Sequence, residues 1–124
     1  MKQSQIGIDI IEISRIKEVV SRWGGRFLRR VYTAAELELC RNRAESLAAR
    51  FAGKEAAIKA LSIQGSVIGW REVEILSETS GRPIIHLHSQ AKEQAKKLGF
   101  ARLEISLSHS KEYAVAVVLG IADG

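Results

Sequence analysis

"RFAGKEAAIKAL", Arg50 to Leu61, decides how the rest of the chain is read. Phe51, Ala52, Ala56, Ala57, Ala60 and Leu61 are apolar and mostly small, which predicts a helix packed on most sides. Glu55 and Lys59 stand four residues apart, so they share one face, one turn from each other. Lys54 sits beside them and Arg50 lies just over a turn earlier. A surface helix carries such a pair for about 0.3 kcal/mol of stability. A mostly buried helix has only one polar seam to offer, and this one holds a carboxylate and an ammonium.

Outward from that helix, which should run from about Ser46 to Leu61, strand and helix patterns alternate. "QIGIDIIEI" (Gln5 to Ile13) is β-branched and apolar, a buried strand interrupted by Gly7 and Asp9. Ser14 is placed to cap a helix through about Trp23, and Gly24-Gly25 would end it. Thr33 and Glu36 have capping-box spacing and open a second helix. "IQGSVIG" reads as a loop. "REVEILSE" alternates, with Val73 and Ile75 on one face, and the Ser80–Pro83 turn joins it to "IIHLH" as a hairpin. Ser89 should cap a helix ending at Gly99. "RLEISLSHS" puts Leu103, Ile105 and Leu107 on one face, and "YAVAVVLG" closes the chain as a buried strand. The expectation is one α+β domain over residues 1–124, a mostly antiparallel sheet with helices packed to one side.

The chain has 124 residues, 46% hydrophobic and 27% charged, the composition of a soluble globular domain. No stretch approaches the ~20 apolar residues of a membrane span. The start of the chain leaves no room for an export signal, and Cys40 is the only cysteine. A disulfide scaffold is therefore excluded, a cytoplasmic location is expected, and Cys40 reads as a small packed side chain rather than a nucleophile. The net charge of +5 is uneven: residues 1–62 hold 12 Lys+Arg against 7 Asp+Glu, while residues 63–124 hold 7 of each. Six basic residues (Arg15, Lys17, Arg22, Arg26, Arg29, Arg30) face only Glu18 between positions 15 and 30. Such a run implies an anionic partner: nucleic acid, an acidic protein or a phosphorylated ligand.

Several positions could carry chemistry. An ionised Asp9 inside an apolar strand is costly unless a hydrogen bond, a cation or a metal compensates it. A strand-end carboxylate receiving backbone N–H groups accounts for it as well as a ligand does. Glu55 poses the same problem. Two converging carboxylates repel by ~4 kcal/mol at ~4 Å and an effective dielectric of ~20, so something positive must lie between them. Magnesium, bound by one or two carboxylates, waters and phosphates, fits oxygen ligands, and Lys59 would then meet a phosphate oxygen. His109 lies between Ser108 and Ser110, without the G-x-S-x-G elbow of a hydrolase; it is a structural histidine or a donor to phosphate. His86 and His88 share a strand face but show no third ligand and read as half-exposed strand residues.

Four stretches taken together resemble a known family. "GIDIIEISRI" (Gly7–Ile16), "RFAGKEAAIKAL", "GRP" (Gly81–Pro83) and "SLSHS" (Ser106–Ser110) stand in the order and spacing of the small phosphopantetheinyl transferases of the holo-acyl-carrier-protein synthase type. In that family magnesium-bound coenzyme A donates 4′-phosphopantetheine to a serine of acyl carrier protein and leaves adenosine 3′,5′-bisphosphate. The resemblance implies that Asp9 and Glu55 are the magnesium ligands and Lys59 the catalytic lysine at the α-phosphate. It implies that Arg50, His109 and Ser110 contact the phosphates of coenzyme A, and that Gly81, Arg82 and Pro83 wall its nucleotide pocket. Arg15, Arg22 and Arg26, at roughly helical spacing, would form the docking face for the acidic helix of the carrier protein. A homotrimer with coenzyme A in the clefts between subunits is implied too. The general base is open between Glu55 and a metal-held water. Gly53 departs from a common alanine, and Ile11 stands where the larger, two-lobed relatives carry a second acidic residue.

A small basic RNA-binding module is the rival, and a pI near 9.7 supports it. Aromatic content of 6% and the lack of an RNP-like or basic G-x-x-G pattern count against it. It also leaves Asp9 and Glu55 without a purpose, so neither a nucleic acid nor a membrane is the expected partner.

Overall fold

The computed structural model describes residues 3–62 and 67–122. Three antiparallel strands form the main sheet in the order β1 (Gln5–Glu12), β5 (Tyr113–Ala122), β4 (Phe100–His109). A separate antiparallel hairpin pairs β2 (Val73–Ser77) with β3 (Pro83–Leu87). Between them come α1 (Ile13–Trp23), α2 (Gly25–Val31), α3 (Ala34–Cys40), α4 (Ala44–Leu61), a 3₁₀ turn (Trp70–Glu72) and α5 (Ser89–Leu98). The architecture is α+β. Helix α4 lies across one face of all three main strands, with the hairpin and α5 against it.

The contact between α4 and β1 is backbone to backbone. A Cβ placed on Gly7 would fall onto the carbonyl of Ala56 and crowd the amide of Ala60. Only glycine admits that approach, and it sets Asp9, two residues on and on the same side of β1, beside the α4 seam. Ala52, Ala56, Ala57 and Ala60 are buried because the helix rides so close, while Phe51, Glu55 and Ile58 are half-buried and Lys59 is exposed. The seam read from the sequence is thus present. Gly53 faces the other way: a methyl there would meet Ile75 Cδ1 at 2.5 Å and Ile105 Cδ1 at 3.1 Å, so the missing side chain is filled by hairpin and sheet.

Several expectations need correction. The β1 strand is not buried. It is an edge strand whose outer row, Ile6, Ile8 and Ile10, is 68%, 59% and 61% exposed, while Gly7, Asp9 and Ile11 face the helix. Ser14 does not cap α1: Glu12 occupies that position and Ile13 is already helical. Gly24, at φ 53° and ψ −131°, does end α1, but Gly25 starts another helix at once, because a single positive-φ residue of the kind glycine adopts redirects the chain and leaves the next residues free to be helical. Ser89 is likewise not a cap, since His88 precedes α5 in that role. Within the expected loop, residues 63–66 lie outside the described residues, and Val67–Gly69 form neither helix nor strand. The Thr33–Glu36 capping box is present, with both hydrogen bonds made.

Candidate functional site

Asp9, Ile10 and Ile11 of β1, Arg15, Ile16 and Val19 of α1, Phe27 of α2, and Phe51 and Glu55 of α4 enclose a cleft of about 320 Å³. Its floor is apolar; Asp9, Glu55 and Arg15 supply its charge. Lys59, one turn beyond Glu55, reaches back to β1, where its Nζ donates to the Ile8 carbonyl at 2.9 Å and to Asp9 Oδ1 at 3.2 Å. The Glu55 Oε1 accepts a 2.9 Å hydrogen bond from Trp70 Nε1. Neither carboxylate therefore stands uncompensated: an ammonium answers one and an indole N–H the other.

Two carboxylates on one cleft make a hard, all-oxygen donor set that fits a small divalent cation. Among the described residues no group of three His, Cys, Asp or Glu side chains gathers for a metal. Further ligands to such a cation would come from water or from a bound phosphate, which is how magnesium is usually held.

The remaining candidates lie elsewhere. Arg50 is buried and turned toward the hairpin, donating from Nε to the Ile75 carbonyl at 3.3 Å and from Nη2 to Ser77 Oγ at 3.0 Å. Gly81 and Arg82 belong to the exposed β2–β3 turn, where Arg82 pairs with Glu104 at 3.2 Å and Pro83 opens β3. His109 ends β4 in a row with Ala114 and Ile11, two strands and about 10 Å from β1. Ser110 Oγ accepts the amides of Glu112 and Tyr113, closing the β4–β5 turn. Arg15 and Arg22 are exposed on α1, but Arg26 belongs to α2, so the three do not share one helix.

Long-range contacts that the sequence only hints at hold α4 in place. Lys54 is fully buried, and its Nζ donates to Glu36 Oε1 at 2.7 Å, the Val73 carbonyl at 2.7 Å and the Trp70 carbonyl at 3.0 Å. Burial pushes its pKa below 10.5, with the Glu36 carboxylate opposing. Glu36 in turn accepts from the Thr33 and Ile75 amides. Its capping-box position gave one hint of this; Lys54, set among alanines on a buried helix, gave another. Cys40 is buried and its thiol is raised by that burial, in keeping with a packed side chain. His88 is not a strand residue; its Nε2 lies 3.1 Å from Glu74 Oε1, whose other oxygen accepts from Thr33 Oγ1 at 2.6 Å. Those bonds hold the Glu74 pKa below 4.5, the Thr33 hydroxyl contributing most.

Comparison with known proteins identifies the family. The model of the 4′-phosphopantetheinyl transferase superfamily matches residues 5–118. The holo-[acyl-carrier-protein] synthase of Herpetosiphon aurantiacus is 49% identical over 122 residues, covering 93% of this chain and 96% of that protein. The synthase of the same description from Dehalococcoides mccartyi is 51% identical over 113 residues, covering 91% and 94%. Among solved structures, the Helicobacter pylori holo-[acyl-carrier-protein] synthase in complex with coenzyme A superposes with a TM-score of 0.80 at 35% identity, covering 91% of this chain and 96% of that one. With the family model matched over residues 5–118 and relatives about half identical over most of the chain, the chain belongs to the 4′-phosphopantetheinyl transferase superfamily.

Proposed function

We propose that this chain transfers 4′-phosphopantetheine from coenzyme A to a serine hydroxyl of an apo acyl carrier protein, with magnesium, in the cytoplasmic supply of carrier protein for fatty acid synthesis. The observation that carries the reading is the convergence of Asp9 and Glu55 on one cleft with Lys59 bound to Asp9. The serine oxygen attacks the phosphorus that bears the pantetheine, the bond to the other phosphate breaks, and its electron pair leaves on adenosine 3′,5′-bisphosphate. The serine proton passes to Glu55 or to a water.

Asp9 and Glu55 hold the magnesium, which supplies neutralisation of the pyrophosphate charge. Lys59 sits one turn from Glu55 with an exposed, flexible stem, so its ammonium can exchange Asp9 for a phosphate oxygen. Preorganised positive charge of this kind acts where negative charge develops. Arg15, Arg22 and Arg26 face an acidic partner helix, and Arg15, on the cleft wall itself, orients it toward the carboxylates.

Arg50, Gly81, Arg82, Pro83, His109 and Ser110 take the nucleotide end of coenzyme A. Self-association explains why one chain leaves them apart from the carboxylates. The outer row Ile6, Ile8 and Ile10 of β1 lies against Leu119, Val117 and Val115 of β5, an uncovered apolar strip beside the polar outer row of β4. Covering that strip between copies supports a homotrimer with clefts shared by neighbouring subunits.

Intact mass spectrometry of an apo carrier protein incubated with this chain, coenzyme A and magnesium tests the reaction. A mass gain of one phosphopantetheine is expected, and none with EDTA. An unchanged carrier mass under complete conditions ends the proposal.

A further inference from the structure

Glu55 is oriented from outside its own helix. The indole that binds it belongs to the 3₁₀ turn, fifteen residues on, and that turn is pinned independently. The Trp70 carbonyl accepts from buried Lys54, the residue next to Glu55. Glu72, two residues further, ties its Oε1 to the Ala91 amide at the start of α5, and its carbonyl accepts from the His88 amide. The Trp70 ring packs on Phe51 at 6.0 Å between centroids, and Phe51 on Phe27 at 6.4 Å. Both phenylalanines line the cleft. The N–H thus has a fixed origin and a fixed direction, and it ends 2.9 Å from Glu55 Oε1.

We infer that Trp70 is a positioning residue for Glu55, committing one carboxylate oxygen to the indole so that the carboxylate meets a cation through a single oxygen. This rests on the reading of Glu55 as a cation ligand given above. Magnesium demands near-ideal octahedral geometry and accepts single-oxygen carboxylates readily, whereas calcium tolerates bidentate ones. A Glu55 locked by the indole therefore favours the smaller ion, and a Glu55 released from it loses that preference. Partners that orient a metal ligand typically matter by about ten- to a hundredfold in metal affinity.

The test is Trp70→Phe, which keeps an aromatic ring against Phe51 and removes the N–H donor together with part of the indole. Coenzyme A is titrated calorimetrically into wild type and variant with magnesium, with calcium and with EDTA. In the variant the affinity gained from magnesium should fall about ten- to a hundredfold. The gain from calcium should fall less, and binding in EDTA should stay the same. A magnesium gain that is unchanged overturns the inference, and so does a parallel fall for both ions, which would mark a packing defect. Glu55→Gln separates the two levels. If it leaves the magnesium gain intact, the reading of Glu55 fails and the inference goes with it. If it removes the gain while Trp70→Phe does not, only the role of Trp70 fails. Should Trp70→Phe not fold, Trp70 emission in a Trp23→Phe background gives the answer. It should shift with magnesium and coenzyme A together and not with coenzyme A in EDTA; a flat response overturns the inference.

Discussion

Lys59 Nζ and Asp9 Oδ1 lie 3.2 Å apart although fifty residues separate them in the chain. The ammonium thus answers the charge of a carboxylate that lines the cleft. Replacing it with Met should depress kcat far more than coenzyme binding, because a donor to developing phosphate charge acts mainly in the transition state. The expected loss is about a hundredfold. Lys59 is half exposed, so the pair adds below about 1 kcal/mol to stability, and the melting curve should barely move. Steady-state kinetics decide it: an intact kcat with a raised KM for coenzyme A would reduce Lys59 to a binding residue.

Asp9→Ala and Glu55→Ala should each abolish transfer and leave the fold intact. Removing Glu55 strands the half-buried Trp70 N–H, at a cost of about 1 kcal/mol. Mass spectrometry of the carrier protein beside thermal unfolding separates the two effects. Near wild-type transfer in either variant contradicts the ligand assignment.

Reversing Arg15 and Arg22 to Glu should raise KM for the carrier protein steeply and leave coenzyme A affinity nearly unchanged. The attraction acts on encounter and should weaken with salt, since screening shortens from ~10 Å at 0.1 M to ~3 Å at 1 M. Calorimetry with coenzyme A, run beside carrier-protein kinetics at two salt concentrations, checks it. Equal losses of coenzyme and carrier would place these arginines in the nucleotide pocket.

Gly7→Ala should be among the most damaging single-methyl changes in the chain. The added carbon meets the α4 backbone, which cannot yield as a flexible side chain would. A loss of ~3 kcal/mol is expected, a drop in Tm on the order of 10 °C. A variant melting with wild type would show that β1 and α4 can separate freely.

Glu74 should make the fold acid-sensitive. Its pKa is lowered in the folded chain, so its contribution is complete above pH 4.5 and is lost as pH falls through that value toward the folded one. Glu74→Gln keeps an acceptor for Thr33 but cannot titrate. Denaturant midpoints from pH 6 to pH 3 should fall more steeply for wild type, and parallel curves would remove Glu74 from the acid response.

Features set by a short period or a short spacing were legible in the sequence. The α4 seam arises from Glu55 and Lys59 at helical separation among alanines, and the alternation of Leu103, Ile105 and Leu107 marked the face of β4. Features that depend on distant partners were not legible. Nothing near Trp70 announces a hydrogen bond to Glu55, and Lys54 among alanines hints at a buried partner without naming Glu36. Helix α2 is hidden because two adjacent glycines read as a stop, when only Gly24 takes a positive φ. Ser14 and Ser89 look like caps, but α1 starts two residues before the place a Ser14 cap would give it and α5 one residue before the place a Ser89 cap would.

The β1 strand divides its residues by parity. Odd positions, Gly7, Asp9 and Ile11, turn to the helix, and even positions, Ile6, Ile8 and Ile10, turn out. Sliding β1 by one residue along β5 would exchange the two sets, pressing isoleucines onto Ala56 and carrying Asp9 away from Lys59. A single inserted or deleted residue in this strand would therefore silence the cleft and rewrite the outer surface in one event. Changes to either can accumulate only by substitution, one parity at a time.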